Sequence, residues 1–437
     1  MPGNDWTSRP AGSLRGEVMV PGDKSISHRA LMLASLADGV TRVEGCLDSE
    51  DTRATASIFR AMGAHVEFCG PSRCMVDGLG LHGLERPLNF LDCGNSGTCM
   101  RLLSGILSGQ GFDSTLIGDE SLSCRPMRRV VEPLRGMGAE IEAGPGDLPP
   151  LRIRGARQLR GIDYLAPVAS AQVKSAILLA GMYAEGETRI HEPTPTRDHT
   201  ERMLAAFGWP ISMDEGRVSL SGGHRLRATS IEVPRDFSSA AFFIVAATLN
   251  PGSDLTLRGV GVNPRRIGLL DVLGRMGADI HIENRRQCGV EPVADIRVRH
   301  AALHGITIQP DRAVDMIDEF PILFIAAGAA HGRTTIRGVG ELRVKESDRI
   351  DVMCTGLREL GIVASETPDG AVIDGGRFAG GSVTSARDHR CAMSLAVAGL
   401  IAGAPVTVGD CANVATSFPG FFDMANECGF ALSYSVD

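Results

Sequence analysis

Ala30-Leu31-Met32, followed by Gly39, Thr41-Arg42-Val43, Asp51-Thr52-Arg53 and Met62-Gly63-Ala64, is the stretch that decides the fold, because its pattern recurs along the whole chain. It reads as an apolar helix ending near a glycine, a short β-rich strand, a second helix, and a glycine beside a hydrophobic residue. The glycine closing the first run falls at Gly39, Gly111, Gly186, Gly252, Gly332 and Gly403, spacings of 66 to 80 residues. A repeat of that length is a complete α/β module and not a solenoid unit, so six of them predict two globular lobes of three modules each. The first helix of each copy is apolar nearly all round and is expected to lie buried inside its lobe, with the alternating strands forming outer sheets. Chain crossings are expected at Pro21-Gly22 and at Val233-Pro234-Arg235-Asp236, where rigid or permissive backbone interrupts the pattern. The N-terminal lobe is then 22–234 and the C-terminal lobe is discontinuous, 1–21 plus 235–437, with the site in the cleft between them.

Composition narrows the function. A chain of 437 residues, 43% hydrophobic, has ample material for two cores. Its net charge of −8 and pI near 5.8 argue against general nucleic-acid or anionic-membrane binding, so any cationic site must be focused. Met1 to Arg15 has no apolar signal core, and no stretch approaches the roughly 18 apolar residues of a membrane span. A cytoplasmic monomer is the expectation. The eleven cysteines include no Cys-x-x-Cys pair and suit a reducing compartment.

Of 44 basic residues only Lys24, Lys174 and Lys345 are lysine. Where arginine has taken over ordinary solvating work, lysine is expected to persist where a compact ammonium is needed. Lys24 lies in Pro21-Gly22-Asp23-Lys24-Ser25-Ile26-Ser27-His28-Arg29, which opens directly into the first apolar helix. Ser25 or Ser27 can cap that helix, so backbone N–H groups, a hydroxyl, Lys24 and Arg29 can converge on one anion. Asp92-Cys93-Gly94-Asn95-Ser96-Gly97-Thr98 is a glycine-rich turn entering the second copy's helix, Ser170-Ala171-Gln172-Val173-Lys174 precedes the third, and Arg387-Asp388-His389-Arg390 the sixth. Helix starts at equivalent places of a pseudo-symmetric lobe point the same way and add positive potential, which indicates anionic substrates. Arg125 and Arg197 sit in loops after strands. Asp318, just before the fifth core helix, and Glu346, beside Lys345, are carboxylates whose apolar or cationic neighbours can tune them for proton transfer.

Gly78-Leu79-Gly80-Leu81-His82-Gly83 spells the dinucleotide fingerprint, yet Pro87 follows and no amphipathic helix opens from it. No Walker lysine, no G-x-S-x-G elbow and no convincing histidine metal set is found, so a mechanism without metal or cofactor is expected.

The runs at 21–29, Gly94-Asn95-Ser96-Gly97-Thr98, Arg343-Val344-Lys345-Glu346-Ser347-Asp348-Arg349 and Asp388-His389-Arg390 resemble, in order, the signatures of the 5-enolpyruvylshikimate-3-phosphate synthases, over residues 12 to 430. The resemblance implies an α/β (α+β) fold of two inside-out lobes, each of three βαβαββ units, closing on substrate. It implies transfer of the carboxyvinyl group of phosphoenolpyruvate to the 5-hydroxyl of shikimate 3-phosphate, with release of phosphate. By the same resemblance Lys24 touches both substrates; Ser25, Arg29, Ser170, Ala171, Gln172, Arg197, Asp318 and Lys345 hold shikimate 3-phosphate; and Gly97, Arg125, Gln172, Arg349 and Arg390 hold phosphoenolpyruvate. Asp318 is then the base for the hydroxyl and Glu346 the acid for C3, with Lys24 a partner in proton traffic.

The chain departs from many family members at Thr416, where they carry a lysine before the final Ser/Thr-Phe-Pro, and at Arg197, where others use Ser. Together with Gln172-Val173-Lys174-Ser175 this looks like the family's divergent bacterial branch. The sister UDP-N-acetylglucosamine enolpyruvyl transferases carry Lys-Asn near the start and a cysteine several residues before the loop arginine. Here Ser25 follows Lys24 and Cys124 adjoins Arg125. A non-catalytic binder of phosphorylated metabolites is the remaining alternative.

Overall fold

The computed structural model describes residues 5–214 and 216–435. The chain forms two compact units. The first comprises Gly22–Val233 with Cys288–Val290; the second comprises Met1–Pro21, Pro234–Gln287 and Glu291–Asp437. Of the terminal stretches assigned above to the C-terminal lobe, residues 1–4 and 436–437 lie outside the described residues.

Six mixed sheets carry the sixfold repeat, three in each unit. In the second copy the order of elements is strand Leu91–Asp92, helix Gly97–Ser108, strand Ser114–Ile117, helix Arg128–Gly136, then strands Glu140–Gly144 and Leu148–Arg154. That is one βαβαββ module. In its sheet Leu91–Asp92 runs parallel to Ser114–Ile117, which is antiparallel to Leu148–Arg154, which is in turn antiparallel to Glu140–Gly144. The other five sheets repeat this strand order.

Two of them draw their parallel edge from distant chain. Leu226–Arg227 and Ser230–Glu232 return to Ala37–Glu44, and Arg15–Val18 lies beside Asp254–Gly261. The sixth sheet instead takes its central strand, Trp6–Arg9, from the start of the chain, between Val406–Gly409 and Ala431–Tyr434. Trp6 is buried there, its ring stacked on Phe421 at 5.8 Å.

The core helices are apolar all round because they are covered all round. In Phe237–Leu249 every residue from Phe237 to Thr248 is buried, and Phe320–Ala329 is nearly as enclosed. In the first unit the Gly97–Ser108 and Ala171–Gly181 helices meet so closely that a Cβ on Gly105 would lie 2.2 Å from the Ala176 carbonyl oxygen. The second glycine of each repeat ends the outer helix: Gly63, Gly138, Gly208, Gly277, Gly361 and Gly429 all have φ between 80° and 102°, the left-handed region that residues with a Cβ avoid. At the first crossing, a Cβ on Gly22 would fall 1.8 Å from the Gly45 carbonyl oxygen, so only glycine fits.

Candidate active site

Each core helix begins at a polar loop, and in the first unit these starts are bonded to one another. The Lys24–Ser35 helix is capped by Asp23, whose side chain accepts from the Ile26 N–H at 2.9 Å. The cap is therefore neither Ser25 nor Ser27: Ser27 Oγ turns inward to accept from the Leu47 N–H. Ser96 and Ser170 cap the Gly97–Ser108 and Ala171–Gly181 helices.

His28 links the first two helices, its Nδ1 2.7 Å from Thr55 Oγ1 and its Nε2 3.3 Å from Ser96 Oγ. Burial first, then the charges of Lys24 and Arg29, push the imidazole down to a pKa of about 3, so it is neutral. Gln172 joins the second and third helices, donating to Thr98 Oγ1 at 2.9 Å and accepting from Arg101 at 2.8 Å. Arg29 joins the first and third, donating to Ser175 Oγ at 2.8 Å and to Thr200 Oγ1 at 2.7 Å. Three positive helix ends are thereby gathered with several cations, an arrangement suited to multiply charged anions.

Lys24 Nζ lies 3.0 Å from Asp51, which orients the side chain at the first helix start. Arg125 is buried and donates to Asn95 Oδ1 at 2.7 Å and Ser121 Oγ at 3.0 Å. Gly97 leaves room for two guanidiniums: a Cβ there would lie 2.8 Å from Arg101 Nη1 and 3.3 Å from Arg125 Nη1. Ser25, Ala171 and Ser170 stand at the helix starts themselves, and Arg197 lies in the loop between strand Glu187–His191 and helix His199–Ala206. Lys174 is different in kind. It is 3% exposed and sits inside the unit between Glu192 and Glu201.

In the second unit the polar residues converge on Arg349, which is 1% exposed. Its Nε donates to Asp388 at 2.8 Å, its Nη2 to Glu346 at 2.7 Å, and its Nη1 lies 3.5 Å from Asp318. Burial opposes the charge of this guanidinium, but Asp388, Glu346 and Asp318 outweigh it and raise the pKa further. Asp388 also caps the His389–Ile401 helix, accepting from the Arg390 N–H, while Arg390 Nη1 donates to the Asp318 carbonyl at 3.2 Å. Lys345 pairs with Glu341 at 2.6 Å. Thr416 is buried, and its hydroxyl donates to the Asn413 carbonyl at 2.7 Å.

The structure thus brings Lys24, Ser25, Arg29, Gly97, Arg125, Ser170, Ala171 and Gln172 to one set of helix ends, and Asp318, Glu346 and Asp388 to the buried Arg349, with Arg390 bonded to the Asp318 carbonyl. Asp51, His28 and Arg101 were not singled out as functional from sequence. Their signal is faint, because each acts on a partner that only the folded chain brings near.

The family model for EPSP synthase (3-phosphoshikimate 1-carboxyvinyltransferase) matches residues 8–424. The chain belongs to the EPSP synthase family. A curated 3-phosphoshikimate 1-carboxyvinyltransferase of Xanthomonas euvesicatoria pv. vesicatoria is 57% identical over 98% of this chain and 97% of its own length. Among solved structures, the EPSP synthase of Acinetobacter baumannii superposes with a TM-score of 0.87 at 49% identity, covering 98% of this chain and 99% of that one. The enolpyruvyl transferase NikO of Streptomyces tendae shares the fold, with a TM-score of 0.80 at 19% identity over 100% of both chains. As a member of the EPSP synthase family the protein is a transferase. No helix among the described residues is long and apolar enough to cross a membrane.

Proposed function

We infer that the protein transfers the carboxyvinyl group of phosphoenolpyruvate to the 5-hydroxyl of shikimate 3-phosphate, releasing phosphate. The observation that carries this reading is the gathering of three capped helix starts with Lys24, Arg29, Arg101 and Arg125 in an otherwise acidic chain. Both substrates are phosphorylated carboxylates. Like unit charges about 4 Å apart repel by roughly 4 kcal/mol at an effective dielectric of 20, and fixed cations offset that repulsion. Ser25, Arg29, Ser170, Ala171, Gln172, Arg197, Asp318 and Lys345 hold the acceptor; Gly97, Arg125, Gln172, Arg349 and Arg390 hold the donor; Lys24 serves both.

Asp318 takes the proton of the 5-hydroxyl as its oxygen bonds to C2 of the donor, and Glu346 delivers a proton to C3. In the second step the C2–O bond to phosphate breaks and a C3 proton leaves, restoring the double bond. Support for these roles is that both carboxylates face one buried guanidinium, which fixes where they stand. The acceptor binds in a cytoplasmic monomer, with no nucleic acid or membrane involved.

The test is phosphate release from phosphoenolpyruvate in the presence of shikimate 3-phosphate, with UDP-N-acetylglucosamine as the parallel acceptor. Release dependent on shikimate 3-phosphate supports the reading; release with the nucleotide sugar alone overturns it. For the roles, Asp318→Asn is expected to abolish most turnover while both substrates still bind, and near-normal turnover would sink the assignment.

A further inference from the structure

Lys174 is a buried ion whose three N–H bonds are all accounted for. Its Nζ meets Glu192 Oε2 at 2.8 Å, Glu201 Oε1 at 2.7 Å and the Thr196 carbonyl oxygen at 3.4 Å. Glu192 is bonded in turn to Thr196, whose hydroxyl donates to Oε1 at 2.5 Å and whose N–H points to Oε2 at 3.4 Å. Thr196 is 4% exposed, Glu192 7% and Glu201 1%. Taking one ammonium and two carboxylates out of water is costly, and a hydrophobic filling of the same volume often does as well for stability. The cluster therefore calls for a use beyond stability.

That use lies in what the cluster touches. The carbonyl that Lys174 holds belongs to the peptide whose nitrogen is that of Arg197. Thr196 is pinned through all three of its polar groups, and Glu201 belongs to the His199–Ala206 helix that begins two residues beyond Arg197. The neighbours extend the same clamp: Ser175, next to Lys174, and Thr200, next to Glu201, bond each other at 2.7 Å and both receive Arg29. A spherical ammonium can address three acceptors around a point, whereas a planar guanidinium cannot, which explains why lysine persists here in an arginine-rich chain.

We propose that Lys174, through Glu192 and Thr196, is a positioning residue that presets the Arg197 loop for the phosphorylated acceptor. The proposal rests on the reading that Arg197 contacts that acceptor. Lys174 touches neither substrate; it sets acceptor affinity by fixing the peptide that Arg197 hangs from.

The experiment measures kcat and the KM for each substrate in wild type, Lys174→Met, Lys174→Arg, Thr196→Val and Arg197→Ala, with thermal unfolding of each. Thr196→Val is the mild variant, removing one tether and leaving the ion cluster, so it reports even where Lys174→Met does not fold. The expected result is a KM for shikimate 3-phosphate raised about five-fold or more in Thr196→Val and in both Lys174 variants, with the KM for phosphoenolpyruvate within about two-fold of wild type, as loosened orientation of a binding group predicts. Failure of Lys174→Arg to restore acceptor affinity is part of that expectation. Lowered melting temperature with both KM values unchanged, or raised together, overturns the proposal and leaves the cluster structural. An unchanged acceptor KM in Arg197→Ala locates the failure in the reading of Arg197 itself.

Discussion

Thr41, Thr188 and Thr334 occupy the same place in three copies of the repeat, and replacing each by valine should stabilise the protein. All three are 0% exposed, and their hydroxyls have no hydrogen-bond partner among the described residues. Two other copies place Leu255 and Val406 there, also 0% exposed. Thr188 Oγ1 lies against the Ala171–Gly181 helix, 2.9 Å from where a Cβ on Gly181 would sit, with the Leu220 side chain 3.0 Å from the same point. An unpartnered buried hydroxyl costs about 1–3 kcal/mol, and valine fills the same volume with a methyl. Taking about 1 kcal/mol per site, the Thr41→Val/Thr188→Val pair should add about 2 kcal/mol to the first unit, since the two sites lie in different sheets and act independently. For a unit of roughly 200 residues that is about 4–8 °C in melting temperature. Thr334→Val should act separately on the second unit. Calorimetry gives the shifts, and turnover should stay at the wild-type level because all three lie in strands and none stands at a helix start. Destabilisation by either first-unit substitution would refute the reasoning, since it would mean that the hydroxyl has a partner.

Gly97→Ala should weaken the phosphoenolpyruvate complex selectively, because the new methyl sits 2.8 Å from Arg101 Nη1 and 3.3 Å from Arg125 Nη1 and must displace at least one guanidinium; a roughly ten-fold rise in the donor KM, about 1.4 kcal/mol, with an acceptor KM near wild type is the expected kinetic signature. His28 should make the protein acid-sensitive. Its folded pKa of about 3 lies below its ordinary 6.5, so the unfolded chain takes up a proton first, and the stability tied to the neutral ring is full above pH 6.5 and lost as pH falls toward 3. That is worth up to about 5 kcal/mol, and His28→Gln should flatten the pH dependence of denaturant midpoints by about one proton between pH 6 and 4.

Architecture was readable because it is written in residues with one physical use. Gly63 and its five equivalents end helices in a conformation other residues avoid, and the apolar runs from Ala30 to Met393 are too uniform to face water. The repeat could therefore be counted before any contact was known. What escaped the sequence depends on side-chain direction. Nothing in Asp23-Lys24-Ser25 says that the aspartate, and neither serine of the run, will turn back onto the helix. Lys24 and Lys345 stand beside carboxylates at partly exposed helix or loop ends, while Lys174, equally rare and equally near a helix start, points into the unit. Its partners Glu192 and Glu201 are 18 and 27 residues away, a separation that periodicity does not read. Asp51 escapes for the same reason, 27 residues from the lysine it orients.

The strand Trp6–Arg9 has a consequence for synthesis. It is made long before its two neighbours, Val406–Gly409 and Ala431–Tyr434. The sixth sheet therefore cannot close until translation has passed Tyr434. By then Gly22–Val233, an almost continuous stretch, has had time to fold by itself. A nascent chain stalled before residue 406 would hold one finished unit and one whose first strand is still waiting, with Trp6 lacking the Phe421 ring it stacks on.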